Sequence, residues 1–398
     1  MIKGKHIVVG VTGGIAAYKA AMLVSLLKKK GADVHVCMTA NACRFITPLT
    51  FETLSANRVV TDTFSRETPY EVEHVALAKL ADLIVIAPAT ANIIAKAANG
   101  IADDFLSTLL LAARGKVMFA PAMNTAMLHH AAVQRNMMQL REDGCLMVAP
   151  GSGMLACGDT GDGRMAEPQE ICEAIEAALA PKDLEGIRLM VTAGPTRERL
   201  DDVRYLSNRS TGKMGYAIAR AAVNRGAHVT LISGPTALEA PAGVEVRSVE
   251  SAQQMYTACM EVFPQVDIAV KAAAVADYTP ASYQPGKIKK GEDMKLSLVR
   301  TQDILQNLGA KKQKQILVGF AAEAADLEQN ALAKLQRKHL DMIAANDISR
   351  ADIGFGSDEN LVTLFFADGT KKVLQKAEKE QIADGILDEA LHLLQRKA

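Results

Sequence analysis

The stretch HIVVGVTGGIAAYKAAMLVSLLKKKGADVHVCMTA, residues 6–40, decides the fold of the first half of the chain. An apolar run comes first, followed by glycines, by apolar residues at helical spacing and by a second apolar run. This order is typical of a strand, a turn, an amphipathic helix and a second strand. Strands joined in this way lie parallel in a sheet that is covered on both faces, so the stretch predicts an α/β fold.

The same order returns at residue 187. Residues 187–200, IRLMVTAGPTRERL, begin with an apolar run, and residues 210–235, STGKMGYAIARAAVNRGAHVTLISGP, supply the helix and the next strand. A chain of 398 residues is too long for one ordinary core. The repeat therefore predicts two doubly wound, Rossmann-like domains.

Residues 181–186 contain a proline, a glycine and charged side chains, which favours a boundary there. We predict a first domain at 1–180, a linker at 181–186 and a second domain at 187–398. The first domain is expected to be flavodoxin-like. The second is expected to include a late antiparallel hairpin that turns at Asp368-Gly369 and is followed by an amphipathic helix.

Other apolar runs predict further buried strands. They cover residues 83–87, 117–120, 146–149, 266–270, 316–320 and 342–345. Ligands of doubly wound sheets bind beyond the carboxyl ends of the strands, so we expect the chemistry at those ends.

Composition narrows the classes of partner. Lys and Arg together number 45, as do Asp and Glu, so no net charge attracts nucleic acid or an anionic membrane. No window is long and apolar enough for a transmembrane helix, and the first residues do not resemble a signal peptide. The six cysteines show no CxxC spacing, which favours free thiols in a cytoplasmic protein over a zinc site.

The first glycine turn favours a mononucleotide over a dinucleotide. Residues 10–15 read GVTGGI, which is not the GxGxxG fingerprint, and the second strand ends at Thr39 where NAD binding needs an acidic residue. Glycines before a helix still leave N–H groups for a single phosphate, which fits FMN. The alternative is that these glycines only form a tight turn.

Several polar residues follow predicted strands or lie in glycine-rich segments. Thr90 and Asn124 each follow a strand, His74 opens a helix, and Cys157 lies in GSGMLACGDTGDGRM, which is expected to be a mobile, exposed loop. Taken singly, His74 could be a structural histidine, Asn124 a turn former and Cys157 an inert buried thiol.

Taken together, the motifs GVTGGIAAYK, EVEHVALAKLAD, APATAN, PAMNTAM and LACGDTGDGRM resemble those of the flavin-dependent cysteine decarboxylases, and especially the decarboxylases of coenzyme A biosynthesis. The resemblance implies that bound FMN oxidises the thiol end of the substrate so that its carboxylate leaves as CO₂. It also implies that His74 is the base, that Asn124 holds the carboxylate and that Cys157, on a closing lid, is the proton donor. Thr12, Gly13, Thr39 and Thr90 are the expected FMN contacts.

The second half contains lysine clusters but no Walker A motif. The segment STGKMG lacks the GxxxxGK[ST] pattern, although Gly212 and Gly215 are expected to precede a phosphate-accepting helix that starts near Tyr216. Lys287 belongs to a KIKK run, and Lys334 and Lys338 are one helical turn apart. These lysines could clamp phosphates or could simply decorate the surface.

The motifs TAGPTRE, SNRSTGKMG, AAAVADY, KIKK, GFAAE and ANDIS resemble phosphopantothenate–cysteine ligases, and the whole chain resembles the bacterial bifunctional proteins that join the two enzymes. The resemblance implies that CTP and Mg²⁺ activate 4′-phosphopantothenate as an acyl-cytidylate, which cysteine then attacks. It implies roles for Asn208 with the intermediate and for Lys287 in forming and breaking the anhydride. The implied CTP contacts are Ala274, Asp277, Lys287, Gln302, Asp303, Ile304, Leu305, Phe320, Lys334 and Lys338.

Two other functions stay open at this point. An NAD(P) oxidoreductase would need nicotinamide binding, and a flavin-storing scaffold would need neither Cys157 nor Lys287. The family resemblance further implies a homo-oligomer, a dodecamer of decarboxylase trimers joined through ligase dimers, with sites at the interfaces.

Overall fold

Two mainly parallel sheets, one in each half of the chain, organise the molecule. The computed structural model describes residues 2–64, 72–154, 158, 160–289, 294–323, 326–347 and 357–397, and at 322, 323 and 347 the backbone alone. The chain divides into two compact units, Met1–Ala180 and Pro181–Ala398. Among the described residues, no helix combines the length and the apolar character that crossing a bilayer would require.

The first unit contains one six-stranded sheet and a small hairpin. Its strands are β1 His6–Val11, β2 Asp33–Met38, β3 Val59–Val60, β4 Leu83–Ala89, β5 Lys116–Pro121, β6 Leu146–Met147, β7 Gly151–Met154 and β8 Thr160–Arg164. Its helices are α1 Ala17–Lys29, α2 Pro48–Ser55, α3 Glu73–Leu80, α4 Ala91–Ala98, α5 Phe105–Ala112, α6 Thr125–Leu128, α7 Ala131–Glu142 and α8 Pro168–Leu179.

The main sheet of the first unit is parallel, with the order β3-β2-β1-β4-β5-β6. Without the two-residue β3, this order is that of flavodoxin, and with β3 it is that of the dinucleotide-binding folds. The helices cover both faces because β1 is apolar on both: Val9 packs with Leu23 and Leu27 of α1, whereas Val8 packs in the opposite layer with Phe105.

The second unit repeats this plan and extends it. Its strands are β9 Arg188–Ala193, β10 Arg197–Arg199, β11 Tyr205–Ser207, β12 His228–Ser233, β13 Glu245–Ser248, β14 Ile268–Lys271, β15 Tyr278–Pro280, β16 Leu298–Arg300, β17 Ile316–Glu323, β18 Met342–Asp347, β19 Glu359–Phe366 and β20 Lys371–Glu378. Its helices are α9 Lys213–Asn224, α10 Ala252–Val262, α11 Ile304–Lys311, α12 Leu327–Arg337 and α13 Lys379–Lys397.

Eight of these strands form one sheet in the order β13-β12-β9-β14-β17-β18-β19-β20. The first six are parallel, and β19 and β20 add the predicted antiparallel hairpin. Two small antiparallel pairs, β10 with β11 and β15 with β16, lie outside this sheet. The structure therefore confirms the predicted α/β class, the parallel sheets and the late hairpin.

Two local predictions are wrong. Helix α9 begins at Lys213, not near Tyr216, so Gly215 lies inside it; a Cβ at Gly215 would stand 2.5 Å from the Cβ of Ala193, which explains the glycine by close packing on β9. In the glycine-rich segment expected to be a loop, residues 151–154 and 160–164 instead form the two paired arms β7 and β8.

Candidate functional site

Thr12 and Thr90 lie together where β1 and β4 end. The buried Thr12 hydroxyl donates to the carbonyl oxygen of Pro88 at 2.6 Å, and it accepts from the backbone N–H of Thr90 at 3.3 Å. Thr90 is the N-cap of α4 and accepts from the N–H of Ile93 at 3.5 Å. These bonds join the two strand ends into one polar surface next to the glycine turn.

The glycine turn and the end of β2 lie against each other. A Cβ at Gly13 would stand 2.4 Å from the Cβ of Asn41, so any other residue would push the two segments apart. The N–H of Thr39 donates to the carbonyl of Val11 at 3.1 Å, and the Thr39 hydroxyl accepts from the N–H of Ala42 at 3.3 Å. The four expected FMN contacts are therefore brought to one edge of the sheet.

Asn124 follows the end of the neighbouring strand β5. The N–H of Ala122 donates to the carbonyl of Ala89 at 3.0 Å, which ties this segment to the end of β4. Asn124 is the N-cap of α6, and its Oδ1 accepts from the N–H of Ala126 at 2.8 Å. The residue thus does form a turn cap, at the same edge of the sheet as Thr90.

The β7–β8 hairpin packs directly on the Asn124 segment. The N–H of Met123 donates to the carbonyl of Gly163 at 2.9 Å, and the Thr125 hydroxyl donates to the carbonyl of Asp162 at 2.6 Å. Gly163 has a φ of +120°, and a Cβ there would stand 2.2 Å from the carbonyl oxygen of Met123. Cys157, whose position in the sequence is between the two arms, lies outside the described residues.

His74 is carried by a helix rather than by a strand end. It is the second residue of α3, half-buried, with its ring edge-on to Phe105 at 6.4 Å between ring centroids. Its neighbour Phe105 begins α5 and packs into the apolar layer. The ring of His74 therefore contacts an aromatic side chain of the core edge-on.

The second unit contains a cavity of about 830 Å³ at the carboxyl ends of its central strands. Nearly all the expected CTP contacts line it, together with Asn208. They are Ala274, Asp277, Gln302, Asp303, Ile304, Leu305, Phe320, Lys334 and Lys338. The lining contains seven basic side chains (Arg209, Lys213, Lys271, Arg300, Lys334, Lys338 and Lys379) and two acidic ones (Asp277 and Asp303), which suits a polyanionic ligand.

Asn208 and the segment after β14 form one wall of the cavity. The Asn208 amide donates to the carbonyls of Ala274 and Val275, both at 3.1 Å. The Thr301 hydroxyl donates to the carbonyl of Ala276 at 2.7 Å, and the N–H of Thr301 donates to the carbonyl of Asp277. The backbone carbonyls of residues 274–277 are thus held by Asn208 on one side and by Thr301 on the other.

A second wall joins α11, α12 and β17. Lys334 donates to the carbonyl of Phe320 at 2.7 Å, and Lys338 pairs with Asp303 at 2.8 Å. Asp303 also caps α11 by accepting from the N–H of Gln306 at 3.0 Å. Burial acts to raise the pKa of Asp303, but hydrogen bonds from Lys338 and Gln306 outweigh burial and lower it, so the side chain is a carboxylate.

Lys271 is a candidate that the sequence did not indicate. It is the last residue of β14, and its ammonium donates to the carbonyl of Ala273 at 3.4 Å. Burial lowers the pKa of Lys271 to about 8, and the ammonium groups of Lys334 and Lys338 act in the same direction. The sequence offered one indication of this role, which is that Lys271 ends an apolar strand whose carboxyl end was expected to face the site. Many ordinary strands also end in a lysine, so this pattern alone does not distinguish Lys271.

Lys287 is the one predicted CTP contact that does not line the cavity. Its side chain is exposed, and its backbone lies between two anchored neighbours. The N–H of Gly286 donates to Asp202 at 2.8 Å, and the N–H of Ile288 donates to Asp201 at 3.1 Å. The structure thus separates Lys287 from the cavity while fixing the backbone on which it is carried.

Two family models match the chain end to end. Residues 1–180 match "Flavoprotein", and residues 184–394 match "DFP: DNA/pantothenate metabolism flavoprotein C-terminal domain". Among curated proteins, the chain is 50% identical over 394 residues to the coenzyme A biosynthesis bifunctional protein CoaBC of Bacillus subtilis, covering 98% of this chain and 97% of that protein.

Two solved structures resemble the separate halves. A C-terminal domain of CoaBC is 43% identical, covers 54% of this chain and 99% of its own, and superposes with a TM-score of 0.48. An FMN-dependent cysteine decarboxylase, SpaF, is 35% identical, covers 45% and 97%, and gives 0.40. With a full-length relative at half identity and a flavoprotein model followed by a DFP model, the chain belongs to the family of coenzyme A biosynthesis bifunctional proteins.

Proposed function

We propose that the chain performs two consecutive steps of coenzyme A biosynthesis. The second unit couples 4′-phosphopantothenate to cysteine with CTP, and the first unit decarboxylates 4′-phosphopantothenoylcysteine to 4′-phosphopantetheine. The observation that carries the proposal is the strongly basic cavity at the strand ends of the second unit, since a nucleoside triphosphate is a polyanion of matching size and charge.

In the ligase step, the free carboxylate of 4′-phosphopantothenate is a poor electrophile and needs a leaving group. Transfer of CMP from CTP forms an acyl-cytidylate and releases pyrophosphate; the amine of cysteine then attacks the acyl carbon and expels CMP. Asn208 is proposed to hold the intermediate and Lys287 to balance charge as the anhydride forms and breaks. Mg²⁺ is proposed to be carried mainly by the phosphates, because only Asp277 and Asp303 supply carboxylates among the described cavity residues.

In the decarboxylase step, the strand-end edge of the first unit fits a flavin mononucleotide. Helix α1 has no acidic residue in its first turn and no side-chain cap, so the positive end of its dipole faces the glycine turn without a competing side chain, which favours a phosphate there. When bound, FMN supplies reversible two-electron oxidation of the thiol end of the substrate, which eases loss of CO₂. Thr12, Gly13, Thr39 and Thr90 are proposed to hold it.

Three further residues of the first unit are proposed to act on the substrate. Asn124 binds the carboxylate, His74 accepts a proton and Cys157 returns a proton after CO₂ leaves. The position of His74, on a helix and beside Phe105, is compatible with a site completed by a second copy of the chain.

The proposed assembly is a homo-oligomer, a dodecamer of decarboxylase trimers joined by ligase dimers. Exposed apolar side chains on the small strand pairs of the second unit support a contact between ligase units, among them Tyr205, Tyr278, Leu298 and Val299. We also propose a cytoplasmic location, since none of the cysteines that the structure describes is in a disulfide, as is typical of a reducing compartment.

The test of the function is a coupled assay on the purified full chain. With 4′-phosphopantothenate, cysteine, CTP and Mg²⁺ we expect CO₂, CMP, pyrophosphate and 4′-phosphopantetheine, and omission of CTP should stop every product. The protein should be yellow and release FMN rather than FAD on denaturation. Full turnover by a colourless preparation, or hydride transfer to a nicotinamide, would contradict the proposal.

Replacing Lys271 by methionine should raise the KM for CTP about tenfold and change kcat less, because a charge-assisted contact to phosphate is worth about 1.5–3 kcal/mol. In the wild type the KM for CTP should rise above pH 8 as this ammonium loses its proton, and the variant should lack that rise. Lys371→Met, on the exposed strand β20, is the matched control. Equal KM values in wild type and Lys271→Met would remove Lys271 from the nucleotide site.

A further inference from the structure

Three side chains with metal-binding atoms meet where the first sheet begins. His6 is the first residue of β1, Asp33 is the first residue of β2, and His35 follows two positions later. His6 and Asp33 are direct partners in the parallel register. Because residues two apart on a strand share a face, all three side chains lie on the same side of the sheet.

Two of the three distances between the donor atoms are close to those around one ion. Oδ2 of Asp33 lies 3.0 Å from Nδ1 of His6 and 3.2 Å from Nε2 of His35, and the three ligand atoms lie within 4.8 Å of one another. Ligands about 2.1 Å from a tetrahedral zinc ion are roughly 3.4 Å apart. The two histidine–carboxylate pairs therefore need to open by only a few tenths of an ångström, roughly, to admit the ion.

The surrounding residues hold the carboxylate in the required orientation. Asn57 donates from its amide to Oδ1 of Asp33 at 2.9 Å, and the same amide donates to the carbonyl of Val34 at 2.9 Å. Oδ1 is thus occupied and Oδ2 is left facing the two rings. The backbone N–H of His6 donates to Asp82 at 2.8 Å, which fixes the start of β1. Such outer contacts are the ones that orient metal ligands.

The three side chains are partly exposed to solvent, and the strands fix their positions. The side chains of His6, Asp33 and His35 are 38%, 40% and 21% exposed, so water can complete the coordination sphere while the strands hold the ligands. In the part of the chain that the structure describes, no other group of three histidine, cysteine or acidic side chains converges in this way. Two neutral imidazoles and one carboxylate offset half the charge of a divalent ion.

We propose that His6, Asp33 and His35 bind a divalent transition-metal ion, and that Zn²⁺ is the ion that best matches two imidazole nitrogens and one carboxylate oxygen. The ion joins β1 to β2 at their first residues. The expected FMN contacts lie just beyond the last residues of the same two strands. Each strand has six residues and therefore spans about 20 Å, which separates the two ends by that distance. The metal therefore stabilises the first unit and takes no part in the proposed decarboxylation.

The test is a calorimetric titration of the full-length, flavin-loaded chain with zinc chloride, without CTP or Mg²⁺. We expect the wild type to bind one zinc ion at this site. His6→Gln and His35→Gln should each bind zinc at least about tenfold more weakly than the wild type does. Zinc should also raise the Tm of the wild type more than that of either variant, since an ion that binds only the folded state stabilises it.

His228→Gln is the matched control. His228 is the exposed first residue of β12, the equivalent strand of the second unit, and its register partner is Arg188 rather than a metal ligand. This variant should bind zinc as the wild type does. Retained yellow colour and an unchanged Tm without zinc would show that the site variants are folded.

Two results would overturn the metal site. Equal zinc affinity in the wild type and in the His6→Gln/His35→Gln double variant would mean that the ion binds elsewhere, such as at thiols. A zinc-soaked crystal of the wild type without an anomalous peak between Asp33 and the two rings would also exclude the site, without any variant.

Discussion

Replacing Gly163 by alanine should lower the decarboxylase rate at least about 100-fold while ligation by the same chain continues unchanged. The added Cβ would stand 2.2 Å from the carbonyl oxygen of Met123, a backbone atom that cannot move without moving Asn124. A φ of +120° adds strain for any residue with a side chain. Displacement of reacting groups by about 1 Å costs on the order of 100-fold in rate.

The defect should be one of positioning rather than of flavin binding. Thr12, Gly13, Thr39 and Thr90 lie at other strand ends, so Gly163→Ala should keep its yellow colour. The measurement is CO₂ release from added 4′-phosphopantothenoylcysteine, beside CMP release from the ligase substrates. Cys157→Ser, which removes the proposed proton donor, should stall after carboxylate loss, so it is compared through 4′-phosphopantetheine formation rather than through CO₂ release.

Gly144→Ala is the control for backbone strain alone. Gly144 also has a positive φ, +86°, and belongs to the same unit, but a Cβ there would meet nothing within 4 Å. It should lose stability without a selective loss of decarboxylation. If Gly163→Ala decarboxylates like Gly144→Ala, the hairpin does not position the Asn124 segment.

Much of the fold could be predicted because buried parallel strands leave a strong sequence signal. Val8 and Val9 face opposite apolar layers, so β1 is a continuous apolar run, and the same holds for β4 and β9. The location of the candidate nucleotide site in the second unit followed from the rule that ligands bind beyond the carboxyl ends of the strands. All the expected CTP contacts other than Lys287 line one cavity, and their individual roles stay predictions.

The features that could not be predicted depend either on contacts between segments that are distant in the sequence or on glycines, which have no side chain to form a pattern. The arms β7 and β8 contain glycines at 151, 153, 161 and 163, so they lack the alternation by which a strand is recognised. The grouping of His6 with His35 depends on the register of two strands. Lys271 gains its unusual environment from α10, α11 and α12, which no local pattern reveals.

The anchoring of the Lys287 loop is a third contact of this kind. Asp201 is buried, and its two oxygens accept separate sets of donors. Oδ1 accepts from the N–H groups of Val203 at 2.7 Å and Arg204 at 2.6 Å, while Oδ2 accepts from the N–H of Ile288 at 3.1 Å and the Arg204 guanidinium at 3.2 Å. Burial opposes ionisation, but these donors outweigh it and lower the pKa of Asp201 below 3.8.

Asp201→Asn should therefore release the loop and lower kcat for ligation between about tenfold and 100-fold. The amide oxygen can serve Val203 and Arg204, but its NH₂ group would then face the N–H of Ile288 and the guanidinium, where donors meet donors. Lys287 would keep its charge and lose its placement. Because Lys287 lies outside the cavity, CTP binding measured directly should change far less than kcat.

Glu198→Gln is the matched control for Asp201→Asn. Glu198 is also buried and lies on β10, but it accepts through Oε1 from the N–H of Ala252 at 2.8 Å, which a glutamine oxygen can replace. Ligation should persist in this variant. The lowered pKa keeps Asp201 ionised in the wild type until the pH falls well below neutral, so the ratio of wild-type to Asp201→Asn kcat should stay constant around neutral pH. Equal kcat losses in both variants would assign the effect to general stability, and normal turnover by Asp201→Asn would show that the Lys287 loop does not depend on this carboxylate.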